Sequence, residues 1–72
     1  MDRIVLDVVN SSAEPVVLVL NPLGEVYALA PGQQRAVRYC GDPIPRLTVE
    51  YGEGEIMIWE DGPGELALVN AR

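Results

Sequence analysis

The chain has no histidine, no lysine and no phenylalanine, and a single cysteine among its 72 residues. Without an imidazole, neither a Ser-His nor a Cys-His nucleophile can be assembled. One thiol, Cys40, has no partner for an intramolecular disulfide, and one thiol without histidine leaves no structural zinc site. Cys40 stands beside Gly41 and Asp42 with no lysine or histidine next to it in sequence, so it reads as an inert thiol. Long apolar runs are missing too: none approaches the ~18 residues of a membrane helix. The opening Met-Asp-Arg is not followed by the apolar segment of a secretory leader. The expectation is a soluble cytoplasmic protein that is not an enzyme and uses no cofactor.

Charge of one sign is also scarce. Eleven carboxylates face five arginines, for a net charge of −6. Such a surface repels phosphate backbones and anionic lipid, which argues against nucleic-acid and membrane partners. Glu50, Glu53, Glu55, Glu60, Asp61 and Glu65 crowd the last third, whereas Arg35, Arg38 and Arg46 sit in the middle. This pattern is read as a solvated acidic rim that keeps a small domain dispersed, with a docking surface for a basic partner as the alternative.

What is present is strand and turn chemistry. Val16 to Leu20 is an unbroken β-branched and aliphatic run, as in a strand covered on both faces or lying in a sandwich core. Asn21-Pro22-Leu23-Gly24 follows, with the residues of a type I turn plus bulge. Glu25 to Ala30 returns, and Pro31-Gly32 fits the two central positions of a type II turn. Upstream, Ile4, Leu6 and Val8 share one face of a strand, and Arg3, Val5, Asp7 and Val9 the other. Residues 10–15 form a loop. Its Asn10-Ser11-Ser12 matches a glycosylation acceptor by chance, since no secretory signal accompanies it.

Downstream, Gln34 to Cys40 has no clean face. Val37 and Tyr39 lie with Arg35, opposite Ala36, Arg38 and Cys40, which suits an edge strand. Residues 41–45 contain two prolines and read as a loop crossing between sheets. Arg46 to Tyr51 alternates, with Leu47, Val49 and Tyr51 on one side, and Gly52-Glu53-Gly54 turns the chain. Glu55 to Glu60 puts Ile56 and Ile58 inward. After the turn at residues 61–64, Glu65 to Asn70 points Leu66 and Leu68 inward. Seven short strands with a turn signal about every ten residues indicate one all-β domain spanning residues 1–72, a small antiparallel β-sandwich or a small open barrel.

The turn residues Asn10, Glu14, Pro15, Asn21-Pro22-Leu23-Gly24-Glu25, Tyr27 and Pro31-Gly32 carry a resemblance. Over its first half the chain is similar to a group of small uncharacterised bacterial β-sandwich-like proteins. These have a Glu-Pro-Trp-Gly-Glu-type turn, a tyrosine two residues on and a closing Pro-Gly turn. Here Leu23 replaces the turn tryptophan, and Asn21 stands where the group favours glutamate. The resemblance implies a β fold and no assigned activity.

Two candidate sites remain. Met57 and Trp59 fall on the outward side of their strand, where water is expected. Together with Val5 and Val9, placed on a neighbouring strand, they would form an apolar interaction patch. The alternative inverts the faces and puts Trp59 in the core. Glu60, Asp61 and Glu65 bracket a glycine-rich turn and are the candidate cation ligands, although the run lacks the alternating spacing of a calcium loop. Because a chain of this size buries only about 60% of its unfolded surface, its monomer would be marginal. The functional expectation is therefore a non-catalytic, self-associating interaction or structural module, a homodimer. A small carbohydrate- or calcium-binding module is the alternative.

Overall fold

The computed structural model describes residues 2–41, 46–62 and 64–69, with Asp2 described by its backbone alone. Of the expected inter-sheet loop at residues 41–45, Gly41 ends a strand, and residues 42–45, like Pro63 and Asn70, lie outside the described residues. Seven strands follow one another: β1 (Asp2–Val9), β2 (Val16–Asn21), β3 (Glu25–Leu29), β4 (Gln34–Gly41), β5 (Leu47–Gly52), β6 (Glu55–Glu60) and β7 (Gly64–Val69). They form a three-stranded sheet in the order β1-β4-β7 and a four-stranded sheet in the order β3-β2-β6-β5. The molecule is an all-β sandwich.

Alternation builds the core. Val16, Leu18 and Leu20 of β2 point inward, next to Leu29 and Tyr27 of β3 and Ile56 and Ile58 of β6. From the other sheet come Val37 and Tyr39 of β4, with Leu66 and Leu68 of β7 and Ile4, Leu6 and Val8 of β1 beside them. Leu18, Leu20, Val37, Tyr39, Ile58 and Leu66 make the buried cluster. Among the described residues every pairing is antiparallel except one: β2 and β6 run parallel, Val17 opposite Glu55 through Asn21 opposite Trp59.

β4 corrects the sequence expectation of an edge strand. It is the centre of its sheet, hydrogen-bonded to β1 on one side and β7 on the other. Its inward Val37 and Tyr39 are fully buried. Arg35 shares their face but sits at the strand's start, where its guanidinium lies 5.9 Å from the centroid of the Tyr27 ring. A cation on the core-facing parity is tolerated there because it stacks at the rim and does not enter the interior.

The turns use different means. At Pro31-Gly32 the expected type II turn forms: Gly32 has φ of 79°, and Gln33 N–H donates to the Ala30 carbonyl at 2.9 Å. The β2–β3 connection departs from the type I expectation. Its Asn21–Pro22 peptide is cis, Gly24 has φ of 79°, and Gly24 N–H donates to the Leu20 carbonyl at 2.8 Å. The β5–β6 turn is a two-residue one, with positive φ at both Glu53 (46°) and Gly54 (80°). That is the primed geometry matched to the twist of a hairpin.

Two details were not visible in the sequence. Asn10, matched there to a glycosylation acceptor, is buried, with 3% exposure. Its amide nitrogen donates to the carbonyls of Glu14 (2.7 Å) and Leu29 (3.0 Å), and its Oδ1 accepts from Ser12 N–H at 3.0 Å. Its own backbone closes against the Pro31-Gly32 turn, donating to Gln33 O and accepting from Gly32 N–H. Gly64 has a packing role: a Cβ there would lie 2.5 Å from Tyr39 Cε1, so the Tyr39 ring occupies the space a side chain would need.

Candidate interaction surface

The outward parity of the four-stranded sheet is apolar in its middle. One row across it reads Val26, Val19, Met57 and Glu50 on β3, β2, β6 and β5; the next reads Asn21, Trp59 and Thr48. On the other side, Ala28 and Val17 lead to Glu55. Val26 is 62% exposed and Trp59 37% exposed, while Val17, Val19 and Met57 are half-buried. The tryptophan is therefore on the sheet exterior, as the outward reading of β6 expects. Its indole N–H donates to Glu50 Oε1 at 3.1 Å across the β5–β6 pair. Within these rows the charges are carboxylates, Glu50 and Glu55.

The four residues grouped by the sequence reading do not make one patch. Val5 and Val9 belong to β1, in the three-stranded sheet, so they face away from the molecule on the side opposite Met57 and Trp59. They are exposed there, at 56% and 47%. Period-2 alternation shows which residues share a strand face, but strand pairing decides which strands are neighbours. The outward face of the three-stranded sheet is a second surface, with Val5, Arg38 and Ala67 in its central row. On one side of that row lie Arg3, Cys40 and Glu65, and on the other Asp7, Ala36 and Val69.

The proposed cation ligands are also separated. Glu60 lies on the inward parity of β6 opposite Leu47, and its Oε2 accepts from Gly62 N–H at 2.8 Å. Asp61 Oδ2 accepts from the Thr48 hydroxyl at 2.8 Å. Glu65 is on the exterior of the other sheet, beside Cys40. Successive side chains on a strand point to opposite faces, so Glu60 and Asp61 cannot converge without a loop to bend them together. Among the described residues, no three histidine, cysteine or carboxylate side chains form a group that could hold a metal ion.

A third feature escaped the sequence reading. Val49 and Tyr51 have the core-facing parity of β5, yet they are 60% and 70% exposed. With Leu6 and Val8 of β1 they line an opening of about 310 Å³ between the edges of the two sheets. A smaller opening of about 180 Å³ lies at the other end, between the β2–β3 turn and the start of β7. Among the titratable groups, Tyr27 departs from ordinary behaviour. Its hydroxyl donates to Glu25 Oε1 at 3.1 Å, and that hydrogen bond raises its pKa.

Among the described residues, no helix is long and apolar enough to cross a membrane. No protein-family model, no curated protein and no solved structure matches the chain.

Proposed function

We propose that this protein is a non-catalytic, self-associating interaction module of the cytoplasm, in keeping with its resemblance to small bacterial β-sandwich-like proteins. The observation that carries the reading is the contiguous apolar exterior of the four-stranded sheet, where Val17, Val19, Val26, Met57 and Trp59 meet across three strands. Antiparallel sheets with one solvated face normally alternate apolar and polar residues cleanly. Here the solvated face keeps its large side chains, and apolar patches bordered by polar groups mark protein contact surfaces. Trp59, held by Glu50, has the rigidity of an anchoring residue, since few rotamers are left to lose on contact.

Sedimentation equilibrium of the full chain tests this. The weight-average mass rises with concentration through the micromolar range, and Met57→Gln returns it toward the protomer. A chain that stays monomeric to about 1 mM, where a standard-state contact is worth only about 4 kcal/mol, overturns the reading. Trp59 fluorescence separates it from a sugar-binding module: added oligosaccharides leave the emission unchanged.

A further inference from the structure

We infer that β1 is a docking edge for an extended segment of another polypeptide, which adds to the three-stranded sheet as a fourth strand and covers Val49 and Tyr51. The site is separate from the sheet exterior of Met57 and Trp59 and stands without self-association. It begins with an unprotected edge. β1 pairs with β4 on one side and, among the described residues, with no strand on the other. It is eight residues long, against five for β3, six for β5 and six for β7, the other edge strands. Edges are normally blunted by shortness, proline, lysine or a bulge. β1 contains neither residue, and its register with β4 is unbroken from Asp2 opposite Gly41 to Val9 opposite Gln34.

The backbone groups that this edge offers can be named. Asn10 continues the ladder past Val9, and its N–H and C=O bond Gln33 and Gly32, on the β4 side. Backbone direction alternates along a strand, so Ile4, Leu6 and Val8 serve β4, while Arg3, Val5, Asp7 and Val9 turn their N–H and C=O toward the free edge. A peptide strand carries the matching alternation of donors and acceptors, and a small apolar ligand does not.

Cover is missing at the same place. Ile4, Leu6 and Val8 are half-buried, whereas Val37 and Tyr39 beside them on β4 are fully buried. Leu6 and Val8 share the opening of about 310 Å³ with Val49 and Tyr51. A strand laid against β1 fills that opening and makes the sandwich four strands over four. A second folded copy does not fit there. Paired through its own β1, it would bring its own projecting β5 to the place that β5 already holds.

Charge sets the sequence and direction of the segment. Among the described residues, the Arg3 and Asp7 side chains make no ion pair or hydrogen bond. Both are exposed, on either side of Val5 and on its parity. Antiparallel addition, the more stable pairing, opposes a basic residue to Asp7 and, further along the segment, an acidic one to Arg3. The alternate residues, opposite Ile4, Leu6 and Val8, are apolar and face Val49 and Tyr51. Arg38 lies opposite Val5 on β4, one strand removed from the segment.

The capped peptide Val-Lys-Val-Thr-Val-Glu-Val tests this by calorimetric titration and amide hydrogen exchange of the full chain. One form is N-methylated on its valines, whose amides point away from β1. The other is N-methylated on Lys, Thr and Glu, whose amides point at it. The first form is expected to saturate with a Kd below about 1 mM and to slow exchange at Arg3, Val5 and Asp7. The second is expected not to bind. A peptide with Lys and Glu exchanged is expected to bind about tenfold more weakly. Val5→Pro removes an edge donor and spares the β4 ladder, so native far-UV circular dichroism is kept and binding is lost. Val49→Asp, at an exposed position, keeps the fold and weakens binding about tenfold or more. Equal binding of the two methylated forms, or undiminished binding by Val5→Pro, overturns the edge site. Stronger binding of the charge-exchanged peptide overturns the antiparallel assignment. Slowed exchange at Arg3, Val5 and Asp7 on concentrating the chain alone makes a second copy the occupant and overturns the inference. Sedimentation of Met57→Gln reads the other surface, so neither result decides the other.

Discussion

β2 and β5 belong to the same sheet, and both alternate, yet they live in different surroundings. Val16, Leu18 and Leu20 of β2 have at most 5% exposure, whereas Val49 and Tyr51, on the same side of the sheet, exceed half. The difference lies in the cover. A sheet of three strands lies over a sheet of four, and β5 is an edge strand of the wider one. Core parity is a property of the strand itself, while burial depends on what the opposing layer supplies. One strand is therefore held by packing, the other mainly by its hairpin with β6.

The largest test of that contrast is a matched pair of truncations. Leu18→Ala empties a fully buried site and is expected to destabilise the fold by about 4 kcal/mol, close to the whole stability of a small domain. Val49→Ala, on the same sheet face, is expected to change stability by less than about 0.5 kcal/mol. Chemical denaturation of both decides it, and equal effects would mean that β5 is covered in solution. Next is the anchor beside β2. Asn10→Ala takes the side-chain donor from the Leu29 carbonyl and one of two from the Glu14 carbonyl, which keeps the Ser12 hydroxyl, and is expected to cost about 2 kcal/mol. Asn10→Asp keeps the size but not the donors, so it is expected to destabilise as well. A tolerated Asp would show that the amide is not what matters.

On the loosely covered side the change runs the other way. Glu53 holds a positive φ in the β5–β6 turn. Asn is more at ease there, so Glu53→Asn is expected to raise the denaturation midpoint, by about 0.5–1 kcal/mol in stability. No gain would mean that the turn relaxes out of the left-handed region. The smallest effect is at the rim of β3. The raised Tyr27 pKa means that the folded state disfavours the phenolate, so this small stabilising contribution is present below the unfolded tyrosine pKa and fades as pH rises through the folded one. A ring-carbon NMR titration is expected to show Tyr27 ionising above the ordinary tyrosine range. Glu25→Ala, which removes the hydrogen-bond acceptor, brings it down.

Much of the architecture was readable from local chemistry. The run at Val16–Leu20, the Pro31-Gly32 turn and the inward sets Ile56/Ile58 and Leu66/Leu68 follow from period-2 alternation and turn propensity, which act within a few residues. The outward placement of Met57 and Trp59 has the same origin. What could not be read depends on distant partners. β4 looked like an edge strand because Arg35 shares the parity of Val37 and Tyr39. Only the Tyr27 ring on β3 explains how that cation is accommodated. Val5 and Val9 were assigned beside Trp59, but pairing between strands far apart in sequence leaves no local mark. Asn10 resembled any loop asparagine, since its carbonyl partner at Leu29 is nineteen positions away. The acidic run at Glu60–Glu65 looked like a ligand set only while its strands were ignored.

The parallel seam, β2 against β6, reaches beyond its own sheet. Together with the β4–β7 pairing it stitches the first four strands to the last three in both layers, so neither portion can leave while the other stays whole. Unravelling is therefore expected to be all or nothing, and calorimetry is expected to give one heat-absorption peak with equal van't Hoff and calorimetric enthalpies.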